Sequence, residues 1–85
     1  MPRQYSQADL VGFLLKVENL TAEDANRLAG HVWHVLAAEI PSKTPRKSRT
    51  LTLKTMRSLL NDQRIAKKLW PGYRESLENW MKTLR

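Results

Sequence analysis

The sequence of 85 residues predicts one small all-α domain, a bundle of four to five short helices. Three observations favour this class. Apolar residues recur every three or four positions, helix-capping residues precede the periodic segments, and Pro41 and Pro71 separate them. We divide the chain into an acidic helical hairpin over 1–40, a basic linker over 41–51 and a basic helical half over 52–85.

The first helix begins at Ser6, whose hydroxyl can cap it while Asp9 returns a hydrogen bond to the Ser6 amide. Its apolar residues cover an arc of about 200°, which is too wide for a surface helix. They are Leu10, Val11, Phe13, Leu14, Leu15 and Val17. We therefore expect the 6–17 helix to lie between two other elements or to be covered by a second copy of the chain in a homodimer.

The second helix begins after Thr21, with two acidic residues in the first turn, where the helix dipole favours negative charge. Its predicted inner stripe consists of Ala25, Leu28, Ala29, Val32, Val35, Leu36 and Ile40. Trp33 falls at the edge of this stripe, and His31 and His34 fall in an outer polar row. Pro41 ends the helix, because the residue before a proline disfavours the helical conformation.

The basic half contains a phasing conflict. A single helix over 53–70 would place Ile65 about 160° away from the other apolar residues. A break at Asn61-Asp62 removes the conflict, because Asn tolerates the left-handed conformation that ends a helix and Asp can cap the next one. A last helix over 73–85 follows the Pro71-Gly72 turn. The sequence shows no strand signal.

Residues 65–80 resemble, in degenerate form, the helix-turn-helix arrangement of DNA-binding domains. The resemblance rests on Ile65-Ala66-Lys67-Lys68-Leu69, a turn, and a second helix that includes Leu77 to Trp80, because a small residue in the first helix lets the second cross it closely. The sequence departs from the pattern at the turn, which is Trp70-Pro71-Gly72. It also departs in the Ala66-to-Leu77 spacing, which is about one residue too long. The alternative is that these helices simply pack at an angle around Trp80.

The positive charge of the chain is concentrated in one half. The formal net charge is +7; residues 1–42 hold three basic and five acidic side chains, whereas residues 43–85 hold twelve and three. So basic a domain typically binds polyanions, whereas a merely soluble surface mixes both signs. We therefore predict nucleic-acid binding, to DNA rather than RNA. The predicted contact residues are Lys43, Arg46, Lys47, Arg49, Lys54, Arg57, Arg64, Lys67 and Lys68.

The main alternative is a protein-interaction module, an adaptor or inhibitor whose basic surface meets an acidic partner. Its buried anchors would be Trp33, Trp70 or Tyr73, since aromatic side chains dominate such interfaces. Trp70 and Tyr73 flank the Pro71-Gly72 turn. There, one of them could stack on an exposed base, or both could fill the corner between two helices.

Several functions find no support in the sequence. The absence of cysteine excludes disulfides, thiolate nucleophiles and cysteine-ligated zinc. His31 and His34 have a spacing that suits two metal ligands, but no further ligands lie near them, so we expect no metal site. We expect no enzyme activity and no cofactor, because a phosphate-cradling loop is absent and so small a domain has little room for a substrate pocket. The short apolar runs and the lack of a signal sequence predict a cytoplasmic protein without a membrane segment.

Overall fold

A computed structural model of the chain describes residues 3–84, with the side chain of Lys47 left aside. Within this range the chain forms five α-helices, a single 3-10 turn over Arg46–Ser48 and a two-stranded sheet. The helices are α1 (Gln7–Lys16), α2 (Ala22–Ala37), α3 (Leu53–Asn61), α4 (Gln63–Ala66) and α5 (Tyr73–Lys82). The strands are β1 (Gln4–Tyr5) and β2 (Leu51–Thr52). The predicted all-α class and helix number are confirmed.

Helix starts follow the predicted capping residues. The Asp9 carboxylate accepts a hydrogen bond from the Ser6 amide at 2.7 Å, at the start of α1. The Thr21 and Thr52 hydroxyls each accept the amide three residues further on, at 3.1 Å, at the starts of α2 and α3. These contacts satisfy amides that would otherwise lack a partner in the first helical turn.

The predicted break between α3 and α4 is confirmed. The Asp62 carboxylate caps α4 by accepting the Arg64 amide at 2.9 Å, and Ile65 is only 3% exposed. The reason given for the end of α3 was wrong. Asn61 is not left-handed; among residues 3–84 the left-handed non-glycine residue is Asn19, with φ of 58° in the α1–α2 turn. Gly72 takes φ of 88° before α5, a conformation that disfavours side chains.

The small sheet was not predicted. β1 and β2 pair antiparallel, with Gln4 opposite Thr52 and Tyr5 opposite Leu51. Tyr5 is 3% exposed and packs edge-to-face on Trp80, with ring centroids 5.7 Å apart. Strands of two residues are too short to show a period-two pattern, and therefore the absence of a strand signal was misleading.

The core is built around α2. Its predicted inner stripe is buried, except that Ile40 is only partly buried. Ile40 lies beyond α2, because the helix ends at Ala37 and not, as predicted, before Pro41. α1 packs against both α2 and α5. Its wide apolar arc therefore lies between two elements of the same chain, which was one of the two predicted arrangements; the other was a homodimer. At its C-terminal end, Leu15 and Val17 remain exposed. The fold therefore accounts for most of this apolar arc without a second copy of the chain.

The segment that resembles a helix-turn-helix consists of α4, the 67–72 turn and α5. α4 has only four residues, and the apolar face of α5 is in the core. The Trp80 ring lies 6.1 Å from the Trp33 ring and also contacts Tyr5. These contacts fit the alternative in which the helices pack around Trp80. None of the helices in the described part of the chain has both the length and the apolar character needed to cross a membrane.

Candidate nucleic-acid interface

Arg49 fastens the linker to the end of α2. Its guanidinium donates hydrogen bonds to four backbone carbonyls. The acceptors are the carbonyls of Ala37, Ile40, Ser42 and Thr44. The last carbonyls of a helix have no intrahelical partner, and Arg49 supplies one. Because most of its donors are used inside the protein, we leave Arg49 out of the candidate interface.

Trp33 is buried beneath the same linker. It is 1% exposed, and its Nε1 donates to the Arg49 carbonyl at 2.9 Å. Its position at the edge of the α2 stripe suggested an accessible ring, but the linker folds over that edge. Trp33 is therefore a core residue in this fold and is not available as an anchor for a partner.

The remaining linker cations do not form one cluster. Arg46 donates to Nδ1 of His34 at 2.8 Å, which holds it against the outer row of α2. Lys43 is exposed, and no carboxylate within residues 3–84 forms an ion pair with it. The side chain of Lys47 lies outside the described part of the structure. The linker thus offers a solvent-exposed Lys43 and an Arg46 that is held against the His34 ring.

Arg64 and Lys68 are paired with carboxylates. Arg64 lies 3.0 Å from Asp62, and Lys68 lies 3.5 Å from Glu39. Hydrogen bonds from the side chain and backbone of Arg64 lower the pKa of Asp62, and Asp62 in turn raises the pKa of Arg64. These two cations therefore add less to the positive potential of the surface than their formal charges suggest.

Two helices and a turn bring a second group of cations together. Arg57 of α3 and Arg74 of α5 line one groove of about 260 Å³. Arg74 also lines a neighbouring groove of about 240 Å³ with Lys67, which follows α4. Lys54 lies three residues before Arg57 and hence on the same side of α3. We call Lys54, Arg57, Lys67 and Arg74 the α3–α5 basic face.

The α3–α5 basic face is open to solvent and largely free of internal neutralisation. All four side chains belong to exposed residues. Within the described chain, Lys54, Arg57 and Lys67 have no carboxylate at ion-pair distance, whereas Arg74 donates to Glu78 at 2.9 Å. Arg74 was absent from the predicted contact set, because no local pattern indicates that α5 lies beside α3. The grooves also contain Asn61 and Gln63, whose amides can donate to phosphate oxygens.

An aromatic cluster lies at the turn before α5. The His31 ring stacks on the Trp70 ring at a centroid distance of 4.4 Å, and both rings contact Tyr73. The Trp70 amide donates to Nε2 of His31 at 3.2 Å. Burial of the imidazole lowers the pKa of His31 below its ordinary value. Tyr73 is partly buried against the core, whereas Trp70 remains 53% exposed.

His31 and His34 lie one turn apart on α2, and each accepts a hydrogen bond from another part of the chain. His31 accepts from the Trp70 amide, and His34 accepts from Arg46. Among the described residues, no group of three or more side chains suited to a metal ion occurs. The H-x-x-H spacing alone indicated neither of these two hydrogen bonds.

Comparisons with protein-family models, with curated proteins and with solved structures find no match for this chain. Function is therefore inferred from the residues and their arrangement.

Proposed function

We propose that this protein is a small, non-enzymatic regulatory protein that binds nucleic acid, DNA rather than RNA, by electrostatic docking through its C-terminal half. The supporting observation is the α3–α5 basic face, in which exposed cations from different helices lie close together. Each phosphate that they neutralise would release counterions and favour binding. The preference for DNA comes from the sequence, in which residues 65–80 resemble a helix-turn-helix in degenerate form; Lys67 and Arg74 of this segment belong to the α3–α5 basic face.

Glu78 is the one acidic side chain that lines these grooves. It belongs to an exposed i,i+4 pair with Arg74, and such pairs are weak in water. A phosphate could therefore compete for Arg74 without disturbing the core. In this proposal Arg57 and Lys67 flank Arg74 and provide the first phosphate contacts.

The test compares two double substitutions that remove the same net charge. Arg57→Gln with Lys67→Gln removes two cations of the α3–α5 basic face, and Lys16→Gln with Arg27→Gln removes two from the first two helices. Fluorescence anisotropy with a short labelled DNA, duplex and single-stranded, should be recorded over a series of salt concentrations. The first pair should weaken binding and lower the log–log salt slope by about two.

The control pair should retain the affinity and salt slope of the wild-type protein. Equal losses in the two double variants would show that only net charge matters, and would contradict the assigned surface. Absence of binding to both DNA forms at low salt would overturn the proposed DNA binding. Circular dichroism and thermal unfolding establish that each variant is folded.

A second candidate function is docking onto an acidic partner protein. The exposed Trp70 ring supports it, because an aromatic side chain beside cations is typical of an interface anchor. In that case neither DNA form would bind at low salt, and Trp70→Ala would weaken the protein complex more than Arg57→Gln with Lys67→Gln. A homodimer through α1 would use Leu15 and Val17, and light scattering measures it directly.

A further inference from the structure

We propose that Trp70 is a stacking platform for an unpaired base of single-stranded DNA, with basic residues close to it in the chain that bind the adjoining phosphates. This inference rests on the proposed function, and it specifies that the bound DNA is single-stranded. Among the described residues, the exposed large apolar side chains are Leu15, Val17 and Trp70. Of these, Trp70 is the aromatic one, and it lies beside basic residues.

The Trp70 ring is held in place although it is exposed. His31 stacks on it with an interplanar angle of 29°, and the Tyr73 ring lies 5.3 Å away. The hydrogen bond from the Trp70 amide to His31 fixes the backbone at the same point. A ring that is already ordered loses little further conformational entropy when it binds a ligand. The residue is 53% exposed, and a base would stack on the part of the ring that His31 and Tyr73 leave uncovered.

Basic residues lie near Trp70 along the chain. Lys67 lies three residues before it and Arg74 four residues after it, whereas Lys68 is paired with a carboxylate. On α2, His34 lies one turn from His31 and accepts a hydrogen bond from Arg46 at 2.8 Å. In this proposal Lys67 and Arg74 bind the phosphates that adjoin the stacked base.

The arrangement favours single-stranded over duplex DNA. In a duplex, the faces of the bases are covered by their neighbours, and one base can stack on a protein ring only after it has been unstacked. In a single strand, base faces are accessible, and stacking on an aromatic side chain tolerates any base. We therefore expect Trp70 to contribute to binding of single strands and to contribute little to binding of duplexes.

Tryptophan fluorescence gives a direct measurement on the wild-type protein. Trp33 and Trp80 are 1% and 3% exposed, so quenching by an added oligonucleotide reports mainly on Trp70. A short oligothymidine should quench the emission, and a duplex of the same length should quench it less. Trp70→Ala should weaken oligothymidine binding by about 5- to 150-fold, the range for loss of one stacked base. Its duplex binding should stay unchanged.

Two control variants separate stacking from general effects. Trp70→Phe keeps an aromatic ring and should retain most of the oligothymidine affinity. Val17→Ala shortens a 63% exposed apolar side chain of the α1 end and should retain all of it. If oligothymidine binds without quenching, or if folded Trp70→Ala binds it as tightly as the wild-type protein, the stacking proposal is overturned while DNA binding stands. If neither DNA form binds, the proposed function itself fails.

Discussion

The linker and the α3–α5 basic face differ in how they use positive charge. The linker has four cations within residues 43–49, but Arg49 donates to four carbonyls and Arg46 donates to His34. The α3–α5 basic face collects its cations from α3, α5 and the turn after α4, and most of them have no carboxylate partner within residues 3–84. The density of charge along a sequence is thus a poor guide to the charge that a ligand would meet.

The physical reason lies in the local acceptors. A linker that returns across the end of a helix passes carbonyls that lack intrahelical partners, and an arginine there finds several acceptors at once. Lys54 and Arg57 on α3 and Arg74 in the first turn of α5 have no such carbonyls beside them, because the carbonyls there are already bonded within the helix. Their charges therefore face solvent. The predictions below test this difference, in order of decreasing effect.

The largest expected effect is on stability. Arg49→Ala should lower the free energy of unfolding by about 2–3 kcal/mol, because partly buried carbonyls of the α2 end lose their donors. Urea unfolding followed by circular dichroism measures it. Arg46→Ala provides the matched linker control and should cost less, since Arg46 contacts one exposed imidazole. Equal costs for the two variants would contradict a structural role special to Arg49.

A smaller loss is expected for Trp33→Phe. The phenyl ring keeps most of the packing but cannot donate to the Arg49 carbonyl, so we expect a loss of about 1–2 kcal/mol. Trp80→Phe removes a similar volume from the core and is the control for packing. The linker of Trp33→Phe should also be cleaved faster by trypsin than that of Trp80→Phe. Identical cleavage rates would show that the Trp33 bond does not hold the linker.

The contact that His31 makes between α2 and Trp70 should depend on pH. Because burial lowers the pKa of His31 in the folded protein below 6.5, folding favours the neutral ring. This contribution to stability is present above pH 6.5 and is lost as the pH falls through the folded pKa. The groups facing His31 are His34, Trp70, Tyr73 and the Lys68 backbone.

Two measurements check the His31 prediction. The His31 ring protons, followed by NMR, should titrate with a midpoint below 6.5. The thermal midpoint should fall between about pH 7.5 and 5, and His31→Gln should reduce that fall. A His31 midpoint at or above the ordinary value would show that the ring is not held as described.

The smallest effect on stability is expected on the α3–α5 basic face. Lys54→Ala should change the free energy of unfolding by less than about 0.5 kcal/mol, because the side chain is exposed and has no ion-pair partner in the described chain. The same substitution should lower the salt slope of DNA binding by about one. A marked loss of stability, or an unchanged slope, would remove Lys54 from the proposed interface.

Most of the helical structure could be predicted because its causes are local. The caps at Ser6, Thr21 and Thr52 act over three residues, and the inner stripe of α2 follows from the helical period. The Asn61-Asp62 break could be found because Ile65 was out of phase, which is also a local observation. The charge imbalance between the two halves is likewise a property of the sequence alone.

Tertiary structure alone decided which of the charged and aromatic side chains remain accessible. Three features join residues that are distant along the chain. They are the pairing of β1 with β2, the contact of Trp33 with the linker, and the shared groove of Arg57 and Arg74. No local pattern encodes such contacts, because they form only when separate elements pack around the shared core. The sequence by itself thus determined the helices and the total charge, and packing determined where free charge and an exposed ring lie on the surface.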